Sequence, residues 1–197
     1  MTERDDYILR KLHAEDIPAA FEMSADAGWN QTQDDWRLLL DLAPESCLAI
    51  EVGGVLAATT TLLCYGRRLA WIGMVLTQSK FQRHGFATKL LQAALKQAGD
   101  IGIETIKLDA TDQGQALYEK VGFQVEQQIE RWARVGNNPE RLCDKRATEQ
   151  PWHGASFDVF PADRSRLLQR LAQRRPPRLN ARSFLFTRAG RAANLDG

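Results

Sequence analysis

Apolar positions change their spacing several times along the chain, and each change marks an element. Residues 7–12 are a β-branched and aromatic run, and the acidic turn His13-Ala14-Glu15-Asp16 after it can open a helix. Ile17, Ala20, Phe21 and Ser24 then recur at helical spacing. A second helix is expected from Thr32 or Gln33, with Asp34 and Asp35 in its first turn, Trp36, Leu39 and Leu40 on one face, and Pro44 as its stop. The apolar runs 46–52 and 55–64 flank Gly53-Gly54, a two-residue hairpin signal, and Tyr65-Gly66-Arg67-Arg68 turns the chain into a third run, 69–76. These three runs predict an antiparallel meander.

Beyond residue 84 the period lengthens. Phe86, Leu90, Leu91, Ala94 and Leu95 form one stripe, which predicts an amphipathic helix over 85–98 stopped by Gly99. Residues 103–109 alternate as a strand, 115–120 form a short helix closed by Gly122, and 123–135 contain one more strand. Strands and helices interleaved in this order predict an α/β mix around one sheet. From Asn137 onward the sequence is punctuated by prolines and rich in arginine. One helix is expected there, over 163–174, with Leu167, Leu168 and Leu171 on one face and Asp163 as its cap.

Composition narrows the class. In 197 residues, 44% hydrophobic and 26% charged side chains match a soluble globular protein. No apolar run approaches the roughly 18 residues of a membrane helix, and the charged start MTERDDYILR is unlike a secretion signal, so a cytoplasmic location without a membrane partner is expected. Cys47, Cys64 and Cys143 are odd in number and lack histidines at ligand spacing, which argues against disulfides and against a metal site. Charge is uneven: residues 1–140 carry 14 Lys/Arg against 20 Asp/Glu, and residues 141–197 carry 12 against 5. The division therefore falls near residue 140, and the basic segment is expected to dock on the acidic body.

The chemistry concentrates where the third meander strand runs through Gln78-Ser79-Lys80-Phe81 into Gln82-Arg83-His84-Gly85-Phe86-Ala87-Thr88. A strand entering a helix through small residues directs backbone N–H groups and a helix dipole at one spot, which suits a diphosphate. Gly85 and Ala87 allow close approach, while Arg83 and Thr88 add a charge and a hydroxyl. Residues 82–87 resemble the Q/R-x-x-G-x-G/A acetyl-CoA loop of the GNAT superfamily of N-acetyltransferases. Downstream, Leu117-Tyr118-Glu119-Lys120-Val121-Gly122-Phe123 is similar to the family's L-Y-x-x-x-G-F segment.

The resemblance covers residues 7–135. It implies the GNAT fold, a mixed and mostly antiparallel sheet flanked by helices, with a central parallel strand pair that splays to admit acetyl-CoA. It also implies direct transfer to an amine, on a small molecule or a peptide, with no covalent enzyme intermediate and no metal. The backbone of Met74, Val75 and Leu76 would hold pantetheine. Residues Gln82, Arg83, His84, Gly85, Phe86, Ala87 and Thr88 would hold the diphosphate, with Thr111 and Gly114 also on the cofactor side. Thr111 stands where many members have Asn. Tyr118 occupies the position of the family's general acid, its rival role being apolar packing. The strand ending at 74–76 lacks the acidic residue that some members use as a base, leaving Glu51 and Asp109 as the nearest candidates by topology, each of which reads more readily as a solvated strand-end charge.

Trp29, Asn30, Trp36 and Trp132 are candidates for the acceptor pocket, although such tryptophans serve equally well as core. Residues 157–168 are similar to the opening of the second half of tandem-GNAT proteins, so the segment 141–197 reads as an extension or a partial second half. A non-catalytic acetyl-CoA-binding module is the alternative function. A homodimer is compatible with either. Nucleic acid is not an expected partner, because no aromatic residue interleaves Arg174, Arg175, Arg178 and Arg182.

Overall fold

A computed structural model describes residues 6–128 and 163–173. Five strands form one sheet in the order β1-β2-β3-β4-β5. They are β1 (Tyr7–Lys11), β2 (Cys47–Val52), β3 (Val55–Tyr65), β4 (Leu69–Thr77) and β5 (Ile106–Leu108). The first four are antiparallel neighbours and β5 lies parallel to β4. The helices are α1 (Ile17–Asp26), α2 (Gln33–Leu42), α3 (Phe86–Ile101), α4 (Asp112–Lys120) and α5 (Ser165–Gln173).

Local chemistry explains most boundaries. A short 3-10 turn over Ala14–Asp16 leads into α1, which has proline in its first turn. Asp16 ties this turn to β1 by accepting from the His13 N–H at 2.8 Å and from Arg10 Nη1 at 2.7 Å. At α2, Thr32 and Asp35 form a reciprocal cap: the Thr32 hydroxyl accepts from the Asp35 N–H, and the Asp35 carboxylate accepts from the Thr32 N–H. Gly53 and Gly54 have φ of 55° and 78°, the left-handed pair that a two-residue hairpin needs.

The sheet is covered on both faces, which is why β2 and β3 read as nearly unbroken apolar runs. Leu12, Ile17, Ala20, Met23, Trp36, Cys47, Ala49, Leu56 and Leu76 form one core under α1 and α2. On the other face α3 packs Phe86 and Leu90 against Leu48, Ile50 and Ala58, and Leu91, Ala94 and Ala98 against Leu62, Ala70 and Ile72.

Four expectations need correction. Helix α3 passes through Gly99 and ends at Gly102, whose φ of 78° forms the C-cap. A glycine inside a helix weakens it without breaking it, and α3 continues because its buried stripe continues to Ala98. Strand β5 is shorter than residues 103–109 because only three of its residues pair with β4. Helix α4 starts at Asp112, ahead of residue 115. Residues 123–128 are not a strand, and the rest of that expected strand, to 135, lies outside the described residues.

The basic segment is described only at residues 163–173. There Asp163 Oδ1 accepts the Ser165 N–H at 2.8 Å, Arg166 donates to the Asp41 carbonyl at 3.2 Å, and Leu167 faces Leu42 and Leu63 across a small cavity. Phe157, Phe160, Phe184 and Phe186, Cys143, and residues 157–162 of the 157–168 stretch lie outside the described residues.

Candidate functional site

Three backbone features converge at the end of the parallel pair. Strand β5 pairs with β4 only from Ala70 to Ile72, and then stops at Leu108 while β4 continues to Thr77. Immediately past Ile72, the register of β4 against β3 jumps between Thr61↔Gly73 and Thr59↔Leu76. Met74 and Val75 therefore bulge, and Met74 takes φ of 51°, a left-handed conformation uncommon for a side chain with a Cβ. The bulge is held from β3, where the Thr59 hydroxyl donates to the Met74 carbonyl at 2.8 Å and the Thr60 hydroxyl to the Gly73 carbonyl at 3.4 Å.

The second feature follows directly. After a turn at Ser79–Phe81, Arg83 and Gly85 are left-handed, with φ of 65° and 79°. Gly85 is the N-cap of α3 and makes no side-chain cap. The first helical bond from the cap is Lys89 N–H to the Gly85 carbonyl. The N–H groups of Phe86, Ala87 and Thr88 thus stand at the positive end of a 16-residue helix without a capping side chain, a setting that favours an anion. Gln82 through Gly85 are exposed, Phe86 is buried, and Ala87 and Thr88 are half-buried. The His84 ring stacks on Phe86 with centroids 5.8 Å apart and its Nδ1 lies 2.9 Å from the Gln82 carbonyl, so the side chain braces the loop.

The third feature is α4. Thr111 is its N-cap, and its carbonyl accepts from the N–H of Gly114 and of Gln115. The ring of Tyr118 lies over Gly114 and meets Phe123 edge-on at 6.3 Å. Burial pushes the Tyr118 phenol above its ordinary value, so it keeps its proton through neutral pH. Gly114, expected beside the cofactor, has its small size occupied by this ring.

On the acceptor side the expectations separate. Trp29 is half-buried and packs against the same core as Met74, while Asn30 is exposed. Trp36 is fully buried, with its indole N–H 3.4 Å from Ser24 Oγ, and is a core residue with no surface to offer a ligand. Trp132 lies outside the described residues. Glu51 is bound by Arg10 Nε at 2.9 Å and helps to fasten β1, which does not suit a base. Thr59 was not among the sequence candidates, because a threonine inside a strand carries no motif; its signal is positional, next to Thr60, the residue that faces the bulge. Among the described residues no group of three His, Cys, Asp or Glu is placed to hold a metal, and no helix is long and apolar enough to cross a membrane.

A mixed, mostly antiparallel sheet ending in one parallel pair, with a bulge on its fourth strand and an uncapped helix after it, places the chain in the α/β class. Within it, residues 9–123 match the Acetyltransferase (GNAT) family, and the chain belongs to that family. It is 29% identical over 170 residues to the uncharacterised N-acetyltransferase YitH of Bacillus subtilis, a match that takes in 83% of this chain and 59% of YitH. The chain thus spans about three fifths of that relative. Among solved structures, a Pyrococcus horikoshii protein described as an acetyltransferase superposes with TM-score 0.68 at 21% identity, covering 88% of this chain and 64% of its own. N-acetylglutamate synthase of Neisseria gonorrhoeae, solved with coenzyme A and L-arginine, superposes with TM-score 0.53 at 19% identity over 71% of this chain and 30% of its own. At these identities the two structures speak for the fold.

Proposed function

We propose that the chain is an acetyl-CoA-dependent N-acetyltransferase that moves an acetyl group directly to an amine, on a small molecule or a peptide. The observation that carries this reading is the β4 bulge at Met74, past the last β5 pairing, followed along the chain by the uncapped N-terminus of α3. The family membership of residues 9–123 supports acetyl transfer, and the name of YitH supports nitrogen as the acceptor.

Acetyl-CoA supplies the activated acyl thioester. On this chain, the N–H groups of residues 82–88 hold the diphosphate, with the exposed Arg83 as a countercharge, and the backbone of Met74, Val75 and Leu76 holds the pantetheine. Thr111 and Gly114 belong to the same side through the start of α4. Trp29 and Asn30, on the loop between α1 and α2, border the acceptor. The acceptor nitrogen forms the new bond, the thioester C–S bond breaks, and Tyr118 gives its proton to the departing thiolate. Positioning and polarisation account for most of the acceleration.

A panel of primary amines and short peptides assayed with acetyl-CoA for thiol release tests the reading. Release with at least one amine is expected. Tight acetyl-CoA binding with no turnover across small amines and peptide N-termini favours the binding module instead.

A further inference from the structure

Thr59 on β3 is buried, and its hydroxyl donates to the Met74 carbonyl at 2.8 Å. No peptide bond among the described residues is cis. In a planar trans peptide the carbonyl of one residue and the N–H of the next point in opposite directions. The Met74 carbonyl is committed to the Thr59 hydroxyl, so the Val75 N–H points away from Thr59. Strand β5 has already ended its pairing at Ile72↔Leu108, so on the side of β4 away from β3 no β5 residue pairs with Val75. The bulge adds the other half of the geometry, because Met74 and Val75 together stand where Thr60 alone faces them.

From this arrangement, and resting on the acetyl-transfer reading above, we infer that Thr59 is a positioning residue that fixes the Met74–Val75 peptide and so presents the Val75 N–H to the thioester carbonyl oxygen. When the amine nitrogen bonds to the carbonyl carbon, the π electrons move onto that oxygen, and they return as the C–S bond breaks. The amine releases its proton to solvent, and the thiolate takes one from Tyr118, which solvent then reprotonates. A donor held in advance costs no reorganisation when the charge develops. Without the Thr59 hydroxyl, the Met74 carbonyl loses its partner and the strained peptide is free to turn.

The test compares the full chain with Thr59→Val, which keeps the shape and removes the donor, and with Thr59→Ser, which keeps the donor. Infrared difference spectra with acetyl-CoA carrying ¹³C at the thioester carbonyl read the polarisation directly. The wild type is expected to lower the bound carbonyl stretch relative to free acetyl-CoA. Thr59→Val should lose at least half of that shift and about ten-fold or more in kcat, while calorimetry finds the acetyl-CoA Kd within about three-fold; one oxyanion donor is worth roughly 10²–10³ in kcat, and Thr59 acts on such a donor indirectly. Thr59→Ser should restore both. If the valine variant does not fold, Thr59→Cys, with its weaker donor, takes its place with the same expectation. A wild-type carbonyl shift and kcat in the Val or Cys variant overturn the role of Thr59 and leave acetyl transfer standing. Failure of the wild type to bind acetyl-CoA overturns the underlying reading, and the role of Thr59 with it.

Discussion

The ring of Tyr118 rests on the bare Cα of Gly114, one helical turn before it: a Cβ at position 114 would come within 2.8 Å of Tyr118 Cε2 and 3.5 Å of Cζ. Glycine in a helix is unfavourable by roughly 0.5–1 kcal/mol against alanine, and here its missing Cβ leaves the room that the ring fills.

Tyr118→Phe leaves that placement intact and removes only the hydroxyl. Turnover should fall by about 10²-fold or more, the usual worth of general-acid help, with acetyl-CoA affinity within a few-fold. Steady-state kinetics with the best amine from the panel, alongside calorimetry, checks it. An unchanged kcat assigns Tyr118 to packing and the proton to water. Because burial raises the phenol's pKa, any loss of activity from its ionisation should appear only above the ordinary tyrosine value of 10.0.

Helix α3 offers a test confined to stability. Gly99 has open space where a Cβ would go and no positive φ, whereas Gly102 sits at φ of 78°. Gly99→Ala should raise stability by roughly 0.5–1 kcal/mol, and Gly102→Ala should lower it by about 1 kcal/mol. Urea unfolding of the two variants reads both. Equal effects at the two sites would contradict the C-cap at Gly102.

How much of this was legible beforehand depended on whether a residue's chemistry is local. Thr32 with Asp35 and Gly53 with Gly54 announce their structures, because a cap and a hairpin each need particular residues within four positions. Met74 does not. Nothing in a methionine signals a left-handed φ, which here is imposed by the register of β3 against β4 and by Thr59, fifteen residues away. Trp36 stayed open between pocket and core for a related reason: helical spacing shows that it faces inward, and cannot distinguish a core from a pocket wall. The end of α3 moved because Gly99 and Gly102 look alike as letters and differ only in φ.

Arg10, Asp16 and Glu51 tie β1 to the start of α1 and to β2, and give the fold a defined acid response. For Asp16, burial is the largest influence and acts to raise the carboxyl pKa, but bonds from Arg10 and from the His13 N–H together outweigh it and hold the pKa below 3.8. A carboxylate whose folded pKa is depressed contributes stability above its unfolded pKa and loses it as pH falls through the folded value. Asp16→Asn should therefore lower the melting temperature by several degrees at pH 7. The gap to wild type should narrow below about pH 4, as the native carboxylate protonates. A gap of constant size across that range contradicts the assignment.

The central claim is that the turn into α3 grips the diphosphate of acetyl-CoA. Calorimetric titration of acetyl-CoA into the wild type and into Gly85→Glu tests it most directly, since the glutamate brings a Cβ to a residue at φ of 79° and a negative charge to the helix N-terminus. The account predicts binding by the wild type and at least a hundred-fold weaker binding by a variant that still melts cooperatively. Equal affinity in the two proteins would contradict it.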